Sequence, residues 1–89
     1  MNYEDPPLEN IKKILTLFNK GKIKQALDIS NKMLERFPES IILHNILGAC
    51  YANLKQFGIA IEKYKIALKI NPLYADCHYN LGNAFKDLG

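Results

Sequence analysis

Apolar residues recur at steps of three and four along this chain, in five segments that short polar connections separate. In the first segment Leu8, Ile11, Ile14 and Phe18 follow this spacing, which places them on one side of a helix. The same pattern predicts helices at about residues 8–18, 23–34, 40–54, 56–70 and 74–88. Because the connections are only a few residues long, successive helices must lie antiparallel. The chain is therefore predicted to be all-α, with five helices forming two and a half helical hairpins.

Residues that start and stop helices stand at the ends of the first two segments. Asp5 is a predicted N-cap, and Pro6 suits the first turn of a helix, where no backbone N–H is needed. Gly21 follows the first segment, at a place where glycine often ends a helix. Pro38 follows the second segment and prevents its continuation. These residues predict a tight hairpin at the start of the chain.

Residues of the same type recur at a spacing of 34 along the chain. The matching pairs are Ala26 and Ala60, Pro38 and Pro72, His44 and His78, Leu47 and Leu81, Gly48 and Gly82, Tyr51 and Phe85, and Leu54 and Leu88. A period of this length is typical of repeat architectures, in which each repeat is one helical hairpin that packs on its neighbours. The hairpins are therefore predicted to stack side by side.

The second unit carries a defined motif, with the residues His44-x2-Leu47-Gly48-x2-Tyr51, Ala60-x3-Tyr64, Ala67 and Pro72. It resembles the tetratricopeptide repeat, with His44 in place of the opening Trp. The third unit matches as far as Phe85. The first unit is degenerate, because Ile14 stands where glycine is expected and Ser30 where an aromatic residue is expected. The resemblance implies a right-handed α-α superhelix with a tail (1–6), a degenerate first repeat (7–40), a second repeat (41–74) and the first helix of a third repeat (75–89).

Small residues of the motif are predicted to bring the helices of a hairpin close together. Gly48 and Gly82, with Ala60, let the two helices of a hairpin approach closely, and Tyr51, Tyr64 and Phe85 are predicted to fill the gaps between hairpins. Glycine inside a helix costs about 1 kcal/mol relative to alanine, so its appearance at matching places indicates a packing requirement. Gly48→Leu is accordingly expected to destabilise the fold by several kcal/mol.

The resemblance also implies where a partner binds, because the first helix of each hairpin lines the concave surface in this family. The groove-facing places of the family fall on Leu8, Ile11, Leu15, Phe18, Ile42, Asn45, Ile46, Ala49, Asn53, Asp76, Tyr79, Asn80 and Asn83. This lining is apolar at its N-terminal end and polar at its C-terminal end. The implied function is a non-catalytic scaffold that binds a peptide or helix of another protein.

Two readings of the apolar end stay open. It could accept the apolar face of an amphipathic helix, or the same patch of a second copy. Alternatively, the first hairpin closes on itself and buries these residues. A homodimer or domain-swapped assembly is predicted separately from the last helix, where Leu81, Phe85 and Leu88 would lack their usual cover. Chaperone-tail binding is disfavoured, because the places of the family's two Lys, two Asn and one Arg hold Ile11, Leu15, Ile46, Asp76 and Asn80.

The alternative function is the N-terminal repeat arm of a larger transferase. In glycosyltransferases that modify Ser and Thr hydroxyls, which the chain also resembles, a ladder of Asn residues in the repeats binds peptide backbone. Asn80 and Asn83 fit such a ladder, whereas Ile46 occupies the corresponding place in the previous repeat.

Composition excludes several other classes of function. The chain is 48% apolar and 24% charged, which is typical of a globular protein. No apolar run is long enough to span a bilayer, and the segment from Met1 lacks the pattern of a signal peptide, so the cytoplasm is the predicted compartment. The net charge of +3 is too small to indicate nucleic acid, and most lysines are expected on the second, outer helices. We expect neither a nucleic-acid nor a membrane partner.

Few side chains are candidates for catalysis or metal binding. Cys50 and Cys77 are too far apart in sequence for a typical zinc motif and are expected to be buried apolar residues. His44 and His78 occupy the aromatic place of successive repeats, which favours a structural role over metal binding. No Gly-rich phosphate loop or Ser-based nucleophile motif is present. The sequence therefore predicts no enzyme activity and no cofactor.

Overall fold

Five helices make up nearly all of the described chain. A computed structural model describes residues 4–89, in which the helices are α1 (Leu8–Asn19), α2 (Ile23–Arg36), α3 (Ile41–Asn53), α4 (Phe57–Ile70) and α5 (Ala75–Leu88). No strand occurs within these residues, and each helix begins and ends within two residues of its predicted bounds. The all-α prediction is confirmed. Met1–Tyr3, which belong to the predicted tail and to the segment considered for a signal peptide, lie outside the described residues.

The turn that follows each first helix uses a left-handed residue at the same place in every repeat. Gly21 has φ 79°, Lys55 has φ 62° and Gly89 has φ 93°. After α1, the N–H of Gly21 donates to Phe18 O at 3.0 Å and that of Lys22 donates to Leu17 O at 2.9 Å. These two bonds form the Schellman motif that ends a helix. Gly21 therefore ends α1 as predicted.

The start of α3 is capped by two side chains from different parts of the chain. Ser40 is the N-cap residue, and its hydroxyl accepts the N–H of Leu43 at 3.1 Å. The same hydroxyl donates to the carboxylate of Asp5, which also accepts a long bond of 3.4 Å from the N–H of Ile42. The prediction that Asp5 caps α1 is wrong, because Pro7 occupies that N-cap position. Asp5 instead ties the N-terminal segment to the start of α3.

The helices pack as antiparallel hairpins, α1 with α2 and α3 with α4, and α5 packs on α4 and contacts α3. One core cluster joins α1, α2 and α3 around Ile14, Ala26 and Leu43, which are fully buried. A second cluster joins α4 and α5 around Ala60 and Tyr64. This stacking places α1, α3 and α5 in one row and α2 and α4 in another. The repeat boundaries given above stay a prediction, since helix ends alone do not fix where a repeat begins.

Candidate interaction surface

The row of first helices carries the predicted groove residues, and equivalent places can be followed from helix to helix at a spacing of 34. Two such equivalent positions are occupied on α1 by Leu8 and Leu15, whose side chains are 66% and 41% exposed. The same two places hold the half-buried Ile42 and Ala49 on α3, and the exposed Asp76 and Asn83 on α5. The surface therefore changes from apolar to polar along the row.

A second set of predicted groove residues lies at the junctions between first helices. Ile11 and Ile46 are only 6% and 7% exposed and belong to the first core cluster. At the next junction, the amide of Asn80 donates to Asn45 Oδ1 at 3.1 Å. Both pairs are 35 residues apart in sequence, so they occupy equivalent places. The first junction is apolar and the second is polar.

This geometry changes the assignment of Ile11 and Ile46. The family pattern predicts both in the partner-binding groove, but their side chains leave almost no surface for a partner. The packing of α1, α2 and α3 into one core cluster explains the difference, because helical periodicity identifies an apolar face without showing which neighbour covers it. Both residues belong to the core.

The remaining predicted residues lie at the margins of the row. Phe18 is half-buried and packs against the first core cluster. Tyr79 is exposed near the start of α5. Asn53, at the end of α3, lines a hollow of about 390 Å³ together with residues 21–25 at the start of α2. Leu8, Leu15, Ile42 and Ala49 occupy equivalent places on α1 and α3, so a shared apolar patch stays a prediction. Asn53 instead lines the hollow beside the start of α2.

Tyr74 belongs to the polar junction, and sequence reasoning did not single it out. Burial raises the pKa of its phenol, with Asp76 and Cys77 adding to the rise and the side chain of Asn45 opposing it. The signal that could have identified it is the period of 34, since Tyr74 is the N-cap residue of α5 as Ser40 is of α3. Asn45 therefore lies between two polar neighbours, Tyr74 and Asn80.

The histidines hold the connections between hairpins. The Nε2–H of His44 donates to Pro38 O at 2.8 Å, and that of His78 donates to Pro72 O at 2.6 Å. Burial lowers the pKa of His44 and nearby Lys63 lowers it further, while the bond to Pro38 acts in the opposite direction. His44 is therefore held as a neutral donor, a structural role in keeping with its place in the repeat.

Neither thiol has the environment of a reactive cysteine. Burial raises the pKa of Cys50 and of Cys77 to about 11, so both are neutral at physiological pH. In residues 4–89 no three metal-ligating side chains come together. Within the same residues, no helix has the length and apolar character that crossing a membrane requires.

Comparisons with known proteins agree with this architecture. A family model described as TPR repeat, the tetratricopeptide repeat, matches residues 48–89. The chain is also similar to a probable UDP-N-acetylglucosamine–peptide N-acetylglucosaminyltransferase SEC of Arabidopsis thaliana, with 36% identity over 73 residues. That match covers 82% of this chain and 8% of the transferase.

Proposed function

This chain belongs to the tetratricopeptide repeat family, and we propose that it is a non-catalytic scaffold that binds a peptide or helix of another protein along α1, α3 and α5. The observation that carries the proposal is the exposure of Leu8 and Leu15 on α1. They lie seven residues apart on one line of α1, and a line of apolar side chains at this spacing suits the helix-in-groove mode of binding.

The change of chemistry along the row indicates the kind of ligand that fits. Apolar side chains of the ligand would cover the patch formed by Leu8, Leu15, Ile42 and Ala49, gaining about 25 cal/mol for each Å² removed from water. Polar or basic groups would face the other end, where Asp76 and Asn83 are exposed. The proposed ligand is therefore amphipathic along its length.

Substitutions on the exposed leucines test this surface without removing core residues. The immobilised chain would be compared with Leu8→Ser/Leu15→Ser for the proteins that it retains from source-cell lysate. Charged substitutions at the predicted groove residues Ile11 and Ile46 would not serve as a test, since both side chains are buried and the charges would unfold the core that joins α1, α2 and α3. Proteins retained by the wild type and lost from the leucine variant would support the proposal. Identical retention by both, with the variant folded by circular dichroism, would refute it.

The second candidate function is the repeat arm of a larger transferase. The similarity to the probable Arabidopsis transferase favours it, although the chain spans only 8% of the length of that protein. Asn45 and Asn80 form an amide pair and Asn83 is exposed, so part of an Asn ladder could begin in this segment. An antibody against this chain would test the idea in source cells. A band far above 10.2 kDa that copurifies with transferase activity would support it, and a band at that mass alone would exclude it.

Self-association is a further part of the proposal, and the open side of α5 supports it. A Cβ built on Gly82 meets no atom within 4 Å, and Phe85 and Leu88 are exposed on the same helix. A homodimer or domain swap would cover these side chains. Light scattering on the eluting peak tests this, and a monomeric mass at millimolar concentration would rule it out.

We also propose the cytoplasm as the compartment. Cys50 and Cys77 are both free thiols, which are usual in a reducing compartment. A fluorescent fusion of the native gene in source cells would test this, and an exclusively organellar signal would contradict it.

A further inference from the structure

The outer surface of α4 differs from that of α2 at four places that the repeat makes equivalent. The residues of the first repeat are Gln25, Lys32, Arg36 and Glu39, and those of the second are Ile59, Ile66, Ile70 and Leu73. The spacings of seven, four and three residues keep the apolar set on one side of α4 and extend it into the following turn. We call these four apolar residues the outer stripe.

The fold does not require apolar side chains at three of the four places of the outer stripe, and the fourth residue, Ile70, is half-buried. Ile59 is 38% exposed, Ile66 is 39% exposed and Leu73 is 87% exposed. At the equivalent places of α2, the polar side chains of Gln25 and Lys32 are exposed and the helix forms in the same way. Packing within a hairpin is therefore satisfied with either kind of residue.

A neighbouring hairpin does not cover these places either. The helices α3 and α4 follow α2 directly, yet Gln25, Lys32 and Arg36 remain exposed. A further hairpin stacked in the same manner would leave the outer stripe equally open. The stripe also lies on a second helix, apart from the row of α1, α3 and α5 that forms the proposed groove.

The charges around the outer stripe indicate the chemistry of its partner. Between residues 55 and 70 the charged side chains are four lysines and a single carboxylate, Glu62. Lys65 lies over the ring of Phe85, with Nζ 5.7 Å from the ring centroid, and Lys63 interrupts the stripe where α2 has Ile29. Apolar side chains bordered by positive charge are complementary to an amphipathic helix that carries Asp or Glu beside its apolar residues.

Other occupants match these features less well. A second copy would have to offer one of its own exposed apolar surfaces. That of Leu8 and Leu15 lies beside Lys12 and Lys13, Phe85 lies under Lys65, and the stripe itself carries Lys63, so like charges would meet in each case. A bilayer surface calls for a broader apolar face than one stripe of four side chains. We propose that the outer stripe is a second docking site, which binds an acidic amphipathic helix of another protein.

A designed peptide tests the proposal directly. The probe is a fluorescein-labelled helical peptide of 18 residues, with Leu at spacings of seven, four and three and Glu on both sides of that line. The protein variant Ile59→Gln/Ile66→Lys/Leu73→Glu carries the first repeat's own residues at these places, so it keeps the net charge and is expected to fold. Anisotropy titrations should show affinity for the wild type that falls at least tenfold in this variant.

Two controls separate this site from the groove and from nonspecific binding. Leu8→Ser/Leu15→Ser should bind the peptide as the wild type does. A peptide with Lys in place of every Glu should bind the wild type at least tenfold more weakly. Circular dichroism establishes that each variant is folded.

Several results would overturn the proposal. They are undetectable binding of the Glu peptide, equal affinity for the wild type and the stripe variant, and equal affinity for the Glu and Lys peptides. Two further outcomes would assign the stripe to another occupant: sedimentation of the chain with phosphatidylserine vesicles that the stripe variant abolishes, or a dimeric mass in light scattering that the stripe variant reduces to a monomer. The readout does not involve the groove leucines, so failure here would leave the groove proposal standing.

Discussion

The ring of Tyr64 occupies the space that a side chain on Gly48 would need. A Cβ built on Gly48 would lie 2.3 Å from Cε1 and 2.6 Å from Cδ1 of that ring. Tyr64 is only 2% exposed, so the ring has no free path away from the contact. This relationship fixes the distance between α3 and α4, and it explains why the motif of the second repeat needs a glycine inside a helix.

Gly48→Ala should therefore lower the free energy of unfolding by about 1–3 kcal/mol, because overpacking outweighs the gain in helix propensity. Gly82→Ala is the matched control, one repeat later, where a Cβ meets nothing within 4 Å. It should raise the free energy of unfolding by up to about 1 kcal/mol. Urea denaturation of both variants measures the difference. Equal effects of the two substitutions would show that the contact with Tyr64 does not limit the packing.

In the first hairpin, the large and the small residue of this contact stand on opposite helices: the large residue is on α1 and the small residue is on α2. Ile14 stands at the place of Gly48 and Ser30 at the place of Tyr64, and both are completely buried. The Ser30 hydroxyl has no hydrogen-bond partner among the described residues. The two departures from the motif are therefore best understood as a compensating pair, in which a larger residue on one helix faces a smaller one on the other.

A double-mutant cycle tests this compensation. Ile14→Gly should cost about 2–5 kcal/mol through the cavity that it leaves, and Ser30→Tyr should destabilise because the ring meets Ile14. The double variant should be more stable than the sum of the two single effects predicts, with a coupling energy of about 0.5–3 kcal/mol. Strictly additive effects in urea denaturation would contradict the exchange.

These departures show how far the sequence predicts the fold. The motif residues and helical periodicity were enough to place all five helices, because both depend on local spacing. The contact of Asp5 with Ser40 spans 35 residues and has no local signature. The burial of Ile11 and Ile46 likewise depends on which helix packs beside them. For the candidate site, helical periodicity therefore assigns the predicted residues to α1, α3 and α5 but cannot separate junction residues from open ones.

Lys55 adopts the left-handed conformation that glycine takes at the equivalent Gly21. A side chain in this region costs about 1 kcal/mol, so Lys55→Gly should stabilise the protein by roughly that amount. Gly21→Lys should destabilise it to a similar extent, because a Cβ there meets no atom within 4 Å and only the backbone is strained. Thermal denaturation of both variants measures the pair. A lower melting temperature for Lys55→Gly would indicate that the lysine makes a compensating interaction.

Acid should weaken the fold through His44. Its pKa is lowered from the ordinary value of 6.5, mainly because burial disfavours the charged ring. The unfolded chain therefore binds the proton more readily than the folded one. The stabilising contribution is complete above pH 6.5 and is lost as the pH falls through the folded pKa.

Urea midpoints between pH 7.5 and 5 test the role of His44. The difference in stability between the wild type and His44→Phe should shift in favour of the variant as the pH falls. His78→Phe, at the equivalent place one repeat later, is the matched control, because it leaves His44 in place. An unchanged difference between the wild type and His44→Phe over this range would exclude the histidine as the source.

The polar junction between α3 and α5 should be replaceable by the apolar one that joins α1 to α3. Asn80→Ile alone removes the bond to Asn45 and leaves a half-buried amide unpaired, which should cost about 1–2 kcal/mol. Asn45→Ile/Asn80→Ile places isoleucines where the previous repeat has Ile11 and Ile46, and it should recover most of that loss, since two apolar partners of suitable shape need no hydrogen bond. The Tyr74 side chain, which is only partly buried, can bond to water once Asn45 is gone.

A double variant less stable than Asn80→Ile would show that the two junctions are not equivalent. Recovery would mean that the fold does not require the asparagine pair, which would favour a role for these amides at the proposed groove.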